Sequence, residues 1–135
     1  MANFHLDLVT PERLVLSEEV QAVRAPGING SFGVLAGHAP LLTQLTLGLI
    51  KITQPGGKEE LFATTGGFMQ VSHEKVIILA DSAEHANEID LERERAEAAR
   101  MRQALELPGS NLDAEKLRQE LDAVLNRIQV AQLHQ

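Results

Sequence analysis

Through residues 4–81 apolar and polar positions alternate with a period of two and are broken every several residues by turn formers, a pattern that predicts an antiparallel sheet protein. Phe4, Leu6 and Leu8 alternate with His5 and Asp7, Thr10-Pro11-Glu12-Arg13 reads as a turn, and Val20, Ala22 and Val23 lie near a second strand. Residues 49–53 alternate again, and Gln54-Pro55-Gly56-Gly57 reads as a hairpin loop. Residues 61–65 and 68–71 flank Gly66-Gly67, a pair that predicts a bulge or a close backbone approach. The continuous apolar run 76–79 is expected to be a strand buried on both faces. Short strands at this spacing point to a sandwich or a barrel.

After Asp81 the texture becomes helical: Ala, Glu and Arg dominate and no Gly or Pro appears until Pro108-Gly109. Asp90 can cap a first helix running to about Leu107, the stretch 107–111 breaks it, and Ser110 or Asn111 can cap a second. The chain is thus expected to be mainly β plus α, with a β domain over 1–86 and a helical hairpin over 87–135. Leu117, Leu121, Val124, Leu125 and Ile128 fall on one face of the second helix, and Leu91, Ala96 and Ala99 are the expected contacts from the first. Burying five large side chains is worth about 10 kcal/mol gross, less than the cost of ordering the helix backbone at about 1 to 2 kcal/mol per residue. The second helix therefore needs the first, the sheet or a partner. Arg93/Glu97, Arg102/Glu106, Lys116/Glu120 and Arg118/Asp122 would each place the base first, the weaker i, i+4 orientation.

At 135 residues the chain is long enough to bury a core, and it has no cysteine for a disulfide or thiolate metal site. Its formal charge of −7 argues against nucleic acid as a partner. With no Trp or Tyr and only four Phe, stacking on bases or sugars has little to work with. No apolar run approaches the ~20 residues that span a bilayer, so membrane association is expected only through a partner.

The segment 27–43, GINGSFGVLAGHAPLLT, packs four glycines, a histidine and a proline around two short apolar runs. Gly27, Gly30, Gly33 and Gly37 predict tight turns or bulges. A phosphate loop would need Lys and Ser/Thr after the last glycine, but His38-Ala39-Pro40 follows, and the G-x-G-x-x-G spacing is absent. A Gly-rich β-bend remains, with an edge shaped to touch another protein as the sharper reading. The five histidines show no metal-ligand spacing, and no nucleophile elbow surrounds the Asp81, Ser82, His85 cluster, which reads as a polar linker. Glu84, Glu88 and Asp90 suit a helix N-terminus, while Arg93, Arg100 and Arg127 are either a solvated face or an anion site.

GSFGVLAGHAPLLT, TGGFMQV from Thr65, VIILAD from Val76 and EIDLERERA at the first helix resemble, in order and spacing, the epsilon subunits of F-type ATP synthases, and the resemblance extends to Asn126-Arg127-Ile128. It implies a flattened antiparallel β-sandwich followed by a two-helix hairpin, and a non-catalytic rotor subunit joining the gamma subunit to the c-ring at the cytoplasmic face of the plasma membrane. By resemblance Gly30, Ser31, Phe32 and Gly33 lie on the c-ring side, and His38 and Thr43 face gamma. The hairpin would extend toward the alpha/beta ring and inhibit hydrolysis, with Lys116, Arg118 and Arg127 meeting beta. Some relatives bind ATP through a motif resembling I-D-x-x-R-A; here Glu84, Ile89, Asp90, Arg93, Arg100 and Arg127 would form the site. Glu94 and Ala123 depart from that pattern. A carboxylate about 5 Å from a phosphate costs ~3 kcal/mol at an effective dielectric near 20. Weak or no ATP binding, and no other cofactor, is therefore expected. The alternative readings are a free-standing nucleotide-sensing module using the helical arginines, and a hydrolase using Ser82.

Overall fold

The computed structural model describes residues 2–107 and 111–134. Two compact units are present, Met1–His85 and Ala86–Gln135. The first holds ten strands: β1 (Phe4–Val9), β2 (Leu14–Val20), β3 (Ala22–Gly27), β4 (Gly30–Leu35), β5 (Leu41–Leu45), β6 (Gly48–Thr53), β7 (Glu59–Thr64), β8 (Gly67–Val71), β9 (Lys75–Ala80) and β10 (Ala83–His85). They form one hydrogen-bonded path, β10-β7-β6-β3-β5-β8-β9-β1-β2, with β4 added to β3. The path bends where Gly27 of β3 meets Leu45 of β5, so that β10-β7-β6-β3-β4 and β5-β8-β9-β1-β2 form the two layers of a sandwich. Leu6, Leu8, Val20, Met69 and Ile78 of one layer share a core with Val23, Val34, Ile50 and Ile52 of the other.

Every ladder is antiparallel except one: β1 runs parallel to β9, with Leu6 opposite Val76 and Leu8 opposite Ile78. The region read as a second strand near Val20 to Val23 is two strands. β2 ends at Val20, Gln21 N–H donates to Thr53 O at 2.7 Å, and β3 starts in the opposite layer. The expected turns are present at Thr10 to Arg13 and at Gln54 to Lys58. Gly67, at φ +140°, meets β9 so closely that an added Cβ would lie 2.2 Å from Leu79 O. The glycines of 27–43 divide by role. Gly30 and Gly37 take positive φ at turns, whereas Gly27 and Gly33 lie in regular strand; at Gly27 the Phe32 ring occupies the space of a Cβ.

The run 76–79 is not buried on both faces. Val76 and Ile78 point into the core, but Leu79 is 56% exposed, because β9 keeps the two-residue alternation and its outer face carries no cover.

In the second unit a 3-10 turn (Ala86–Glu88) precedes α1 (Leu91–Glu106), and α2 spans Asn111–His134. Asp90 caps α1 as expected, its carboxylate accepting from Arg93 N–H at 3.2 Å. The break expected over 108–110, with its cap at Ser110, lies outside the described residues. The α2 face is as expected: Leu121 and Val124 are buried, with Leu117, Leu125 and Ile128 packed beside them. The α1 face is not. Ala98 and Met101 are buried with Leu105 beside them, while Ala96 and Ala99 are exposed. The larger Met101 and Leu105, one turn apart, set the rotation of the helix and turn Ala96 and Ala99 outward.

Candidate functional surfaces

Across β8, β9, β1 and β2 one row of the residues that point away from the core is apolar, ending at Gln44 of β5. Phe68 of β8 is the cross-strand partner of Leu79 of β9, Leu79 pairs with Val9 of β1, and Val9 with Leu14 of β2. Leu42 of β5 stands in the adjoining row with Gln70 and Ile77. Leu42 is 71% exposed, Phe68 52% and Leu14 57%. Scattered single apolar residues on a surface need no explanation, but a contiguous apolar row over four strands is a candidate docking surface. Below it, Asp7 accepts from Ser17 Oγ at 2.6 Å and pairs with Lys75 at 2.9 Å and His5 at 3.0 Å. The Ser17 hydrogen bond, then Lys75 and His5, lower the Asp7 carboxyl to about 2.

The segment 27–43 supplies the other layer's edge. Gly30, Ser31 and Gly33 are exposed on β4, and Phe32 is half-buried against the core. His38 is exposed after the Gly37 turn, its Nδ1 2.7 Å from Ala39 O. Thr43 is half-buried on the inner side of β5, alternating with the outward Leu42 and Gln44.

The helical arginines divide. Arg93 and Arg127 line a cleft of about 420 Å³ between α1 and α2, together with Glu94, Glu97, Glu120 and Ala123. Arg127 is already engaged across the hairpin: its Nε lies 3.1 Å from Glu94 Oε1 and its Nη2 donates to Glu94 Oε2 at 3.2 Å. Both side chains are largely buried, at 23% and 16% exposure. Arg100 instead binds Glu97 one turn back, and this hydrogen bond, with the charges of Arg100, Arg93 and Arg127, holds Glu97 below the usual carboxylate range. Asp90 caps α1, Ile89 is half-buried, and Glu84 is exposed on β10 of the other unit. Lys116 is exposed on α2, and Arg118 lies 3.8 Å from Glu115.

None of the four base-first pairs expected within the helices forms among the described residues; the pairs observed include Arg100–Glu97, Arg118–Glu115 and Arg127–Glu94. In the two local pairs the acid precedes the base by three residues, which suits the helix dipole better, and the third ties the two helices together. The Asp81 to His85 cluster does not assemble either. Ser82 Oγ is 2.8 Å from Thr65 Oγ1, and His85 pairs with Glu60 while packing edge-on against Phe62. That partnership holds Glu60 below its ordinary pKa. No helix among the described residues is long and apolar enough to cross a membrane.

A sandwich with a bare apolar stripe, joined in sequence to a helical hairpin, is the make-up of a subunit that docks into a larger assembly. The comparisons specify the assembly. A family model described as ATP synthase, Delta/Epsilon chain, beta-sandwich domain matches residues 3–86. The ATP synthase epsilon chain of Desulforamulus reducens is 44% identical over 127 residues, covering 94% of this chain and 96% of the relative. That of Nitratidesulfovibrio vulgaris strain DP4 is 41% identical over 128 residues, 95% of each. A chain in the cryo-EM structure of Euglena gracilis mitochondrial ATP synthase, OSCP/F1/c-ring, superposes with a TM-score of 0.81 at 28% identity, over 99% of this chain and 83% of that one. This chain belongs to the epsilon-chain family of F-type ATP synthases, and it is membrane-associated as part of that complex.

Proposed function

We propose that the chain is a rotor subunit of the synthase, coupling the gamma subunit to the c-ring on the cytoplasmic face and doing no bond chemistry itself. The observation that carries this reading is the exposed stripe of Leu42, Phe68, Leu79 and Leu14, which suits a permanent protein partner. Gamma covers the stripe and reaches the exposed His38, with Thr43 behind Leu42 and Gln44 on the inner side of β5; the exposed Gly30 to Gly33 edge meets the c-ring. The helices restrain ATP hydrolysis by extending to the alpha/beta ring, where Lys116, Arg118 and Arg127 engage beta. Arg127 can do so only after leaving Glu94, so that ion pair favours the closed hairpin. The same pair weighs against the nucleotide-sensing alternative, because a carboxylate occupies the place where a phosphate would sit.

Removing the residues after Ile89 tests the regulatory half of the reading. The reconstituted complex is expected to assemble with unchanged subunit composition and to hydrolyse ATP faster than with the full chain. An unchanged hydrolysis rate refutes it.

A further inference from the structure

On the outer side of the other layer lies a hollow of about 390 Å³, lined among others by Arg24, Gly33, Leu35, Lys51 and Thr53. Two cations share it in a chain of formal charge −7. Arg24 Nη1 donates to Ser31 Oγ at 3.4 Å, and among the described residues no carboxylate lies within ion-pair distance of its guanidinium. Lys51 pairs with Glu59 at 3.2 Å, an exposed pair that holds it weakly. The hollow borders an open sheet edge. β4 pairs with β3 alone, and its sequence GSFGVL carries no charge or proline to turn away a further strand.

The register relates these features. Arg24 is opposite Gly33, and Ala22 is opposite Leu35, which is 58% exposed. Since Gly33 has no side chain, none stands at that position between the open edge of β4 and the guanidinium, whose Nη2 would lie 3.5 Å from a Cβ placed there; Ser31, two residues back, holds its other side. A strand added there would run about 4.8 Å from β4, and alternate side chains would fall beside Gly33 and Leu35.

We propose that an extended segment of a protein partner adds to the edge of β4, placing a carboxylate across Gly33 onto Arg24 and an apolar side chain two residues away over Leu35. The partner is thus recognised as acid, any residue, apolar residue. A free phosphate would meet the cations but leave the backbone edge and Leu35 uncovered. The proposal rests on the docking reading above and names what the partner carries at this edge.

Because the chain lacks cysteine, Leu35→Cys gives a unique attachment point for a photo-crosslinker on the full chain. In the assembled complex the adduct is expected on a segment with Asp or Glu within two residues of the crosslinked position. Arg24→Glu and Arg24→Gln in that background should lower its yield roughly 10- to 100-fold, the worth of a charged hydrogen bond, with the thermal midpoint of the free subunit unchanged. An adduct on a segment without an acid, or a yield unchanged by both substitutions, overturns the proposal. If Phe68→Ala loosens the complex while the Arg24 variants leave the adduct intact, the docking reading stands and the β4 proposal falls. If the unsubstituted chain retains no synthase subunit, both fall.

Discussion

Replacing Phe68 by alanine puts the docking reading to a quantitative test. The ring stands 52% exposed beside Leu79, so a partner that covers it would remove about 100 Å² from water, half of the roughly 200 Å² that an aromatic side chain buries. At about 25 cal/mol per Å² this is worth about 2.5 kcal/mol, of which the alanine methyl retains a small part. A loss of about 2 kcal/mol is a weakening of roughly 30-fold in Kd for the isolated gamma subunit, measurable by titration calorimetry with the full chain. The fold should not register the change, since an outward-facing substitution of this kind moves stability by about 0.5 kcal/mol or less. Leu42→Ala, in the adjoining row, should weaken binding in the same direction, whereas Leu79→Ala combined with Phe68→Ala should fall short of additivity because the two side chains touch the same area. Affinity within twofold of the unsubstituted chain for Phe68→Ala and Leu42→Ala alike would refute the assignment of this stripe to gamma.

Gly67→Ala should destabilise the sandwich by about 3 kcal/mol or more, because the new methyl would meet Leu79 O and Ala80 Cα from a positive φ; a thermal midpoint lowered by less than about 5 °C would contradict the close approach. Acid should weaken the same unit through Asp7. Its folded-state carboxyl lies near 2 against an ordinary 3.8, so its contribution is complete above about pH 4 and is lost as pH falls through 2. Asp7→Asn should flatten that part of the pH–stability profile, and an unaltered slope in acid unfolding would argue against the Ser17, Lys75 and His5 contacts. The unsubstituted chain should bind ATP weakly or not at all, and Glu94→Ala, which removes that carboxylate from Arg127, should raise the affinity at least tenfold; micromolar binding before substitution would defeat this reasoning.

Most of the strand pattern was legible because each strand has one face in the core and so obeys the two-residue period. The rule also holds at 76–79, but the uninterrupted apolar run hid it, so that Ile77 and Leu79 read as buried although they face outward. A local run of apolar residues does not tell a second buried face from a face reserved for another molecule. The alternation of Phe68 and Gln70 with the buried Met69 and Val71 held the clue to the stripe, but only the register that sets Phe68 against Leu79 makes single residues into a surface. The parallel placing of β1 beside β9 was hidden too, since it joins segments some 70 positions apart and no local pattern encodes it. In the hairpin, the α2 stripe was visible from leucine spacing. The Glu94–Arg127 pair, 33 positions apart, depends on how the helices meet and was not legible; only Glu94 stood out, as a departure from the pattern of ATP-binding relatives.

That parallel ladder also orders events during synthesis. β1 leaves the ribosome first and can pair at once with β2, yet its other edge finds a partner only when Lys75–Ala80 has emerged. Until then Leu6 and Leu8 lack Val76 and Ile78, and the hairpin presents an unpaired strand edge. Closing a loop of this length before any reward is collected makes folding slow relative to local hairpins. The sandwich is therefore expected to complete in a late step, after nearly all of its strands exist. Nascent chains stopped before residue 75 should therefore be more sensitive to protease than chains that extend past Ala80.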